Sequence, residues 1–221
     1  MDSTGLYTQN CVMDSTGLYT QRRIIFEGNS LFALKSISAT PGLADYGGHY
    51  IDKTIHTNLG NAPLCFQSNA TEAETGTIIL NNAPTITVSQ LKYNDIVIYW
   101  EGTNDMYVNG LTGAQAWANV TAWLTLVKAK APKIIICTVI SRDYSLDPAG
   151  LMNTEIPAYN TLVRDNTGLG YTLCDLAIDP LFGTRADASD VRYYCADKLH
   201  LITAGQDIAI SLITTVAQTL I

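Results

Sequence analysis

The sequence predicts an α/β protein: a three-layer α/β/α sandwich in which helices cover both faces of a mostly parallel, five-stranded sheet. Three observations carry this. Short apolar runs alternate along the chain with longer stretches of helical spacing, the pattern of repeated strand–helix units. Two of the runs, Ile24–Phe26 and Ile96–Trp100, are continuously apolar, as buried strands are. Both then pass through a glycine into short polar residues, Gly28-Asn29-Ser30 and Gly102-Thr103-Asn104. At 221 residues with 47% hydrophobic content, the chain can bury a full core.

The elements follow in order. A first strand spans 23–27, and a helix lies within 30–38. Pro41-Gly42 breaks the chain, and a loose helix runs from Asp45 to Leu59 before Gly60. A second strand is expected near 63–68 and a third over 95–100. From Ala114 to Ala131, Trp117, Val120, Leu124 and Val127 recur at helical spacing, which makes Trp117 a core residue. Residues 133–140 read as a fourth strand. Glu155–Asn166 reads as a helix with Pro157 in its first turn, where proline is tolerated. A fifth strand near 171–177 precedes a final helix over 204–220. In such a sheet the carboxyl ends of the strands meet on one edge.

Residues 1–22 are set apart from the domain expected over 23–221. Met1–Gln9 recurs unchanged as Met13–Gln21, a repeat too short to be a solenoid unit. It lacks the basic start and apolar centre of a signal peptide. Its Leu-Tyr-Thr run is suited to a small strand added to a sheet edge. No apolar stretch approaches a membrane span. The net charge is −7, and no basic patch invites nucleic acid. The low charged content, 15%, with plentiful Thr, Asn, Ser and Gly, suits an extracellular, viral or environmental protein, without fixing a compartment. The five cysteines, at 11, 65, 137, 174 and 195, form no metal-binding pattern. Cys137 and Cys174 read as buried small hydrophobes, while Cys195, two residues before Asp197, invites a pairing or redox role. Asn69-Ala-Thr71 and Asn119-Val-Thr121 are glycosylation sequons.

The chemistry concentrates at three places. Asp197-Lys-Leu-His200 puts a carboxylate three positions before a histidine, at a helix start, where it can orient the imidazole and fix its tautomer. Ser30 stands where a strand turns into a helix, with its hydroxyl in the ligand crevice of an open sheet. Asn104 stands after the central strand, where its amide can be aimed at a developing oxyanion. Each also has a plain structural reading, as a helix cap or turn residue.

Taken in order, Gly28-Asn29-Ser30-Leu31, Gly102-Thr103-Asn104-Asp105 and Asp197-Lys-Leu-His200 resemble the blocks of the SGNH, or GDSL, hydrolase superfamily. The resemblance covers roughly residues 23–221, and it implies a flavodoxin-like fold. Position by position it implies Ser30 as nucleophile, His200 as general base and then acid, and Asp197 as the residue orienting His200. The oxyanion donors would be the Ser30 N–H, the Asn104 amide and a loop N–H. The chain departs from the family with Asn29 in place of Asp in the first block. The segment Ser68–Thr75 resembles the family's oxyanion loop, with Ala73 where the family has glycine; Gly76 is the alternative if the register shifts. The Gly-x-Ser-x-Gly elbow of α/β-hydrolases is missing, since Phe32 takes the place of the second glycine.

The resemblance implies a serine esterase that acts on carboxylic esters through an acyl-enzyme, with no metal and no cofactor. Trp100, Glu101, Tyr107 and Arg142 lie at or just past strand ends, and are expected at the entrance as substrate-binding residues. That aromatic and polar rim favours short acyl groups, such as acetyl, on a carbohydrate. A general short-chain carboxylesterase or lipase is the enzyme alternative. A non-catalytic binding module of a larger assembly is the reading from a different class.

Overall fold

Five parallel strands lie side by side, and a sixth is added at one edge. The computed structural model describes residues 7–9, 23–33, 49–60, 65–70, 73–85, 91–130, 132–148 and 150–221. The strands are β1 (Tyr7–Gln9), β2 (Arg23–Gly28), β3 (Cys65–Ser68), β4 (Ile96–Trp100), β5 (Lys133–Cys137) and β6 (Thr172–Cys174), in the order β1-β3-β2-β4-β5-β6. Counted in chain order, the five parallel strands run 2-1-3-4-5, the flavodoxin-like arrangement. The order reverses between β2 and β4, and ligands of such sheets bind outside the strand ends at that point. The sixth strand comes from the first copy of the N-terminal repeat: Tyr7 pairs antiparallel with Ser68, and Gln9 with Phe66. The second copy lies outside the described residues.

The helices are α1 (Ser30–Ala33), α2 (Tyr50–Asn58), α3 (Gly76–Asn82), α4 (Thr103–Tyr107), α5 (Gly113–Lys128), α6 (Ile156–Asp165) and α7 (Thr203–Gln218). Alternation along the buried strands divides the core. Ile24, Phe26, Ile96, Ile98 and Trp100 pack against α1, α2 and α7. Ile25, Val97 and Tyr99 point the other way, to α3, α5 and α6. Trp117 belongs to this second cluster, edge-on to Tyr159 and Tyr171, as its spacing predicts. Thr112 and Gln115 form a capping box that starts α5. Residues 34–38, the Pro41-Gly42 break and the expected start of the second helix at 45–48 lie outside the described residues.

Several boundaries differ from expectation for visible reasons. β5 stops at Cys137 rather than 140, because Asn160 takes over both backbone groups of Val139: its Oδ1 accepts from the Val139 N–H at 2.8 Å, and its Nδ2 donates to the Val139 carbonyl at 2.8 Å. β6 ends at Cys174, where the chain tightens into a 3₁₀ turn over Leu176–Ile178. A π-helical turn, Leu151–Glu155, precedes α6. Two short helices, α3 and α4, sit where the sequence reading assigns no element. Cys137 and Cys174 are register partners on β5 and β6 as free buried thiols. Cys195 is free and buried, and burial, with the Asp197 charge nearby, pushes its thiol up to about 11. That corrects the redox expectation for Cys195, since the reactive form of a cysteine is the thiolate.

Candidate active site

The site forms where β2 and β4 leave the sheet. β2 ends at Gly28, which must be glycine because a Cβ would lie 2.7 Å from the Trp100 carbonyl oxygen. Asn29 then makes a tight turn, its Oδ1 accepting from the Leu31 N–H at 2.9 Å. This turn carries Ser30 into the first position of α1. Its amide there has no acceptor within the helix.

Ser30 Oγ stands 2.9 Å from His200 Nε2, and His200 Nδ1 stands 2.8 Å from Asp197 Oδ2. The other carboxylate oxygen of Asp197 accepts from the N–H groups of Leu199 and His200, both at 3.0 Å. Asp197 is thereby fixed before it meets the imidazole. Burial alone would raise its pKa, but the bonds from His200 and Leu199 outweigh it and hold the carboxyl below its usual range. The turn is tight enough to put Lys198 at φ +55°. It is held from outside by Asp143, whose N–H donates to the Lys198 carbonyl and whose Oδ2 accepts from Lys198 Nζ, both at 2.9 Å.

β4 ends at Trp100, followed by Glu101 and Gly102. Gly102 has φ +126°, and an added Cβ would lie 2.6 Å from the Tyr159 ring. This bend starts α4 and turns Asn104 towards Ser30's edge of the sheet. The Asn104 Nδ2 donates to the Glu74 carbonyl at 2.8 Å, which holds its amide beside the 73–74 segment. Ala73 has φ +58°, the left-handed conformation in which glycine is the usual residue. Gly76, its alternative, opens α3 instead, where a Cβ would lie 2.5 Å from Asp105 Oδ2. Asp105 ties three helices together, accepting from Thr77 N–H and Oγ1 on α3, Asn109 just past α4 and Asn119 on α5.

The expected entrance residues are not all at an entrance. Trp100 is 1% exposed, edge-on to Phe32, and Glu101 is 0% exposed. Arg142 is 1% exposed; it donates to Asp147 and to Thr103 Oγ1 and stacks over the Tyr107 ring at 4.7 Å. These three are corrected from rim to interior, because α1, α4 and the loop after β5 close over the strand ends. Tyr107 remains half-exposed, edge-on to Tyr144. Both sequon asparagines are already engaged: Asn69 Nδ2 donates to Glu27 at 2.7 Å, and Asn119 Nδ2 to Asp105 at 2.9 Å.

The sequence reading missed how Glu101 is bonded. Its Oε1 accepts from the Asn104 N–H at 2.9 Å, and its Oε2 accepts from Asn29 Nδ2. Its position alone carries no sign of this, because a glutamate just past a strand is more often exposed than buried. Among the described residues, no group of three His, Cys, Asp or Glu side chains comes together as a metal site. No described helix is long and apolar enough to cross a membrane.

No protein-family model matches the chain, and neither does any curated protein sequence. Solved structures do match. TesA is 14% identical with a TM-score of 0.70, covering 90% of this chain and all of that one. A lipase/acylhydrolase from Enterococcus faecalis is 14% identical with a TM-score of 0.66, covering 90% of this chain and 96% of that one. A GDSL-like lipase from Bacteroides thetaiotaomicron is 15% identical with a TM-score of 0.66, covering 90% of this chain and 89% of that one. The fold is therefore the α/β fold of the GDSL-like hydrolases, as the three sequence blocks imply.

Proposed function

We propose that the chain is a serine esterase of the SGNH type. The observation that carries this reading is the unbroken hydroxyl–imidazole–carboxylate line, with steps of 2.9 and 2.8 Å, drawn from opposite ends of the sequence. A serine hydroxyl is a weak nucleophile and needs a base within hydrogen-bond reach. In the proposed mechanism His200 takes the Ser30 proton as Oγ attacks the ester carbonyl, and Asp197 holds the imidazole tautomer and stabilises the imidazolium. The tetrahedral oxyanion meets the Ser30 N–H, the remaining N–H of the Asn104 amide and the Ala73 N–H. A well-aimed donor of this kind is worth about 3–4 kcal/mol. His200 then protonates the leaving alcohol, and water, activated by the same imidazole, releases the acid from the acyl-enzyme. No step calls on a metal or an organic cofactor.

For the substrate we propose a short acyl group, such as acetyl, on a carbohydrate alcohol. The support is narrower than the sequence suggests, because Trp100, Glu101 and Arg142 are interior; it rests on the half-exposed Tyr107–Tyr144 edge, the kind of surface on which a sugar ring packs. The words lipase and acylhydrolase in the names of similar structures favour a general short-chain carboxylesterase or lipase as the second reading. Acetyl, butyryl and longer nitrophenyl esters, assayed beside acetylated xylan, separate the two.

Ser30→Ala is expected to abolish p-nitrophenyl acetate hydrolysis with an unchanged circular dichroism spectrum. Parental turnover in that variant rules the assignment out. A fluorophosphonate that leaves Ser30 unmodified in the parental chain favours the binding-module reading instead.

A further inference from the structure

Glu101 sits under the site and touches both of its halves. Its carboxyl accepts from Asn29, the residue before the proposed nucleophile, and from the backbone N–H of Asn104, the proposed oxyanion donor. Asn29 cannot turn its amide around without releasing the Leu31 N–H that its Oδ1 already holds. The Tyr159 hydroxyl fixes the Glu101 backbone, donating to its carbonyl at 2.8 Å. The side chain is wholly buried and reaches neither solvent nor a space where a substrate would sit. A buried carboxyl is expensive unless amide donors satisfy it, and here the donors come from the two turns whose spacing sets the reaction geometry.

We propose that Glu101 is a positioning residue that locks the Ser30 turn to the Asn104 turn, so that the nucleophile and the oxyanion donor keep a fixed separation. This rests on the esterase reading above. Glu101 does the work of a crosslink within the site: without it, the strand ends of β2 and β4 still pair, but the two turns beyond them lose their common acceptor. Asn29 is part of the same device. An amide at position 29 donates to Glu101 while its oxygen holds the Leu31 N–H, so the amide at 29 and the acid at 101 belong together.

The test is a swap across this bond. Glu101→Gln keeps an acceptor for the Asn104 N–H but sets an NH₂ against the NH₂ of Asn29. Its kcat for p-nitrophenyl acetate is expected to fall about 10- to 100-fold with KM within about threefold of parental. Adding Asn29→Asp supplies an acceptor for the new amide and still holds the Leu31 N–H. The double variant is expected to regain kcat to within about threefold of parental, a coupling that a merely structural role would not produce. Parental kcat in Glu101→Gln, or a loss that Asn29→Asp does not repair, overturns the proposal. Should Glu101→Gln not fold, Asn29→Ala breaks the same bond from the other side; a comparable kcat loss supports the proposal and a parental kcat overturns it. Fluorophosphonate labelling separates this from the reading beneath it. An unreactive parental Ser30 overturns the esterase reading and the proposal together. A reactive Ser30 labelled equally fast in Glu101→Gln overturns the proposal alone.

Discussion

Asp197 and Glu101 are both carboxyl groups in largely buried surroundings, and the structure drives them in opposite directions. At Asp197, the bonds from His200 and Leu199 overcome burial and keep the charge. At Glu101, burial dominates: it lifts the group to about 8 against the pull of the Gly102, Asn104 and Asn29 donors, and the neighbouring Asp105 charge adds to the rise. The consequence for stability has a definite sign. Glu101 binds its proton more tightly folded than unfolded, so its contribution is full below about 4.5 and is lost as pH rises through about 8. The melting temperature is therefore expected to fall between pH 5 and pH 9 in the parental chain, and to fall less in Glu101→Gln. Thermal melts of both proteins at those two values check it; parallel pH dependence in the two would show that Glu101 does not titrate in that window.

The elements that set the site are the turns rather than the strands. Gly102 combines φ +126° with a Cβ position occupied by the Tyr159 ring, so no side chain fits there without moving α6 or the start of α4. Gly102→Ala is expected to destabilise the fold by about 3 kcal/mol and to slow fluorophosphonate labelling of Ser30. A urea melt and a labelling time course measure the two; a variant with parental stability would mean that the bend relaxes freely. Legibility in the sequence follows the same division. Ile24–Phe26 and Ile96–Trp100 are readable as strands because continuous apolar runs have few alternatives. Ser30, Asn104 and the Asp197–His200 pair stand out through three short blocks in the order of a known family, and the structure brings Ser30, His200 and Asp197 into one hydrogen-bonded line. Glu101 and Arg142 were misplaced, because the exposure of a residue just past a strand depends on what folds over it. Here that cover is α1, α4 and the 138–148 loop, none of which has a sequence period long enough to read. α3 escaped for a related reason: its only local signal is Thr75, whose Oγ1 accepts from the Ile78 N–H.

At the scale of the whole molecule, the site joins residues 170 positions apart, and the sheet order makes the juncture possible. The reversal between β2 and β4 leaves a crevice at their ends, and the chain's last turn before α7 closes it. We propose that residues 1–22 stand outside this machinery, as an accessory segment whose Tyr7–Gln9 covers the edge of β3. A chain beginning at residue 23 is expected to retain fluorophosphonate labelling of Ser30. It is also expected to associate more readily, because an uncovered strand edge invites pairing with another chain. Gel filtration and labelling of the shortened chain decide both points; loss of labelling would make the segment part of the site.

The opposed thiols of Cys137 and Cys174 give the protein a built-in gauge of its own integrity. They sit buried at the carboxyl ends of neighbouring strands, and burial, together with their mutual hydrogen bond, raises the Cys137 thiol far above its ordinary value. An alkylating agent therefore meets these sulfurs only in molecules in which β6 has parted from β5. The rate at which they are modified, read peptide by peptide, reports how often that edge of the sheet opens rather than how much the loops around it move.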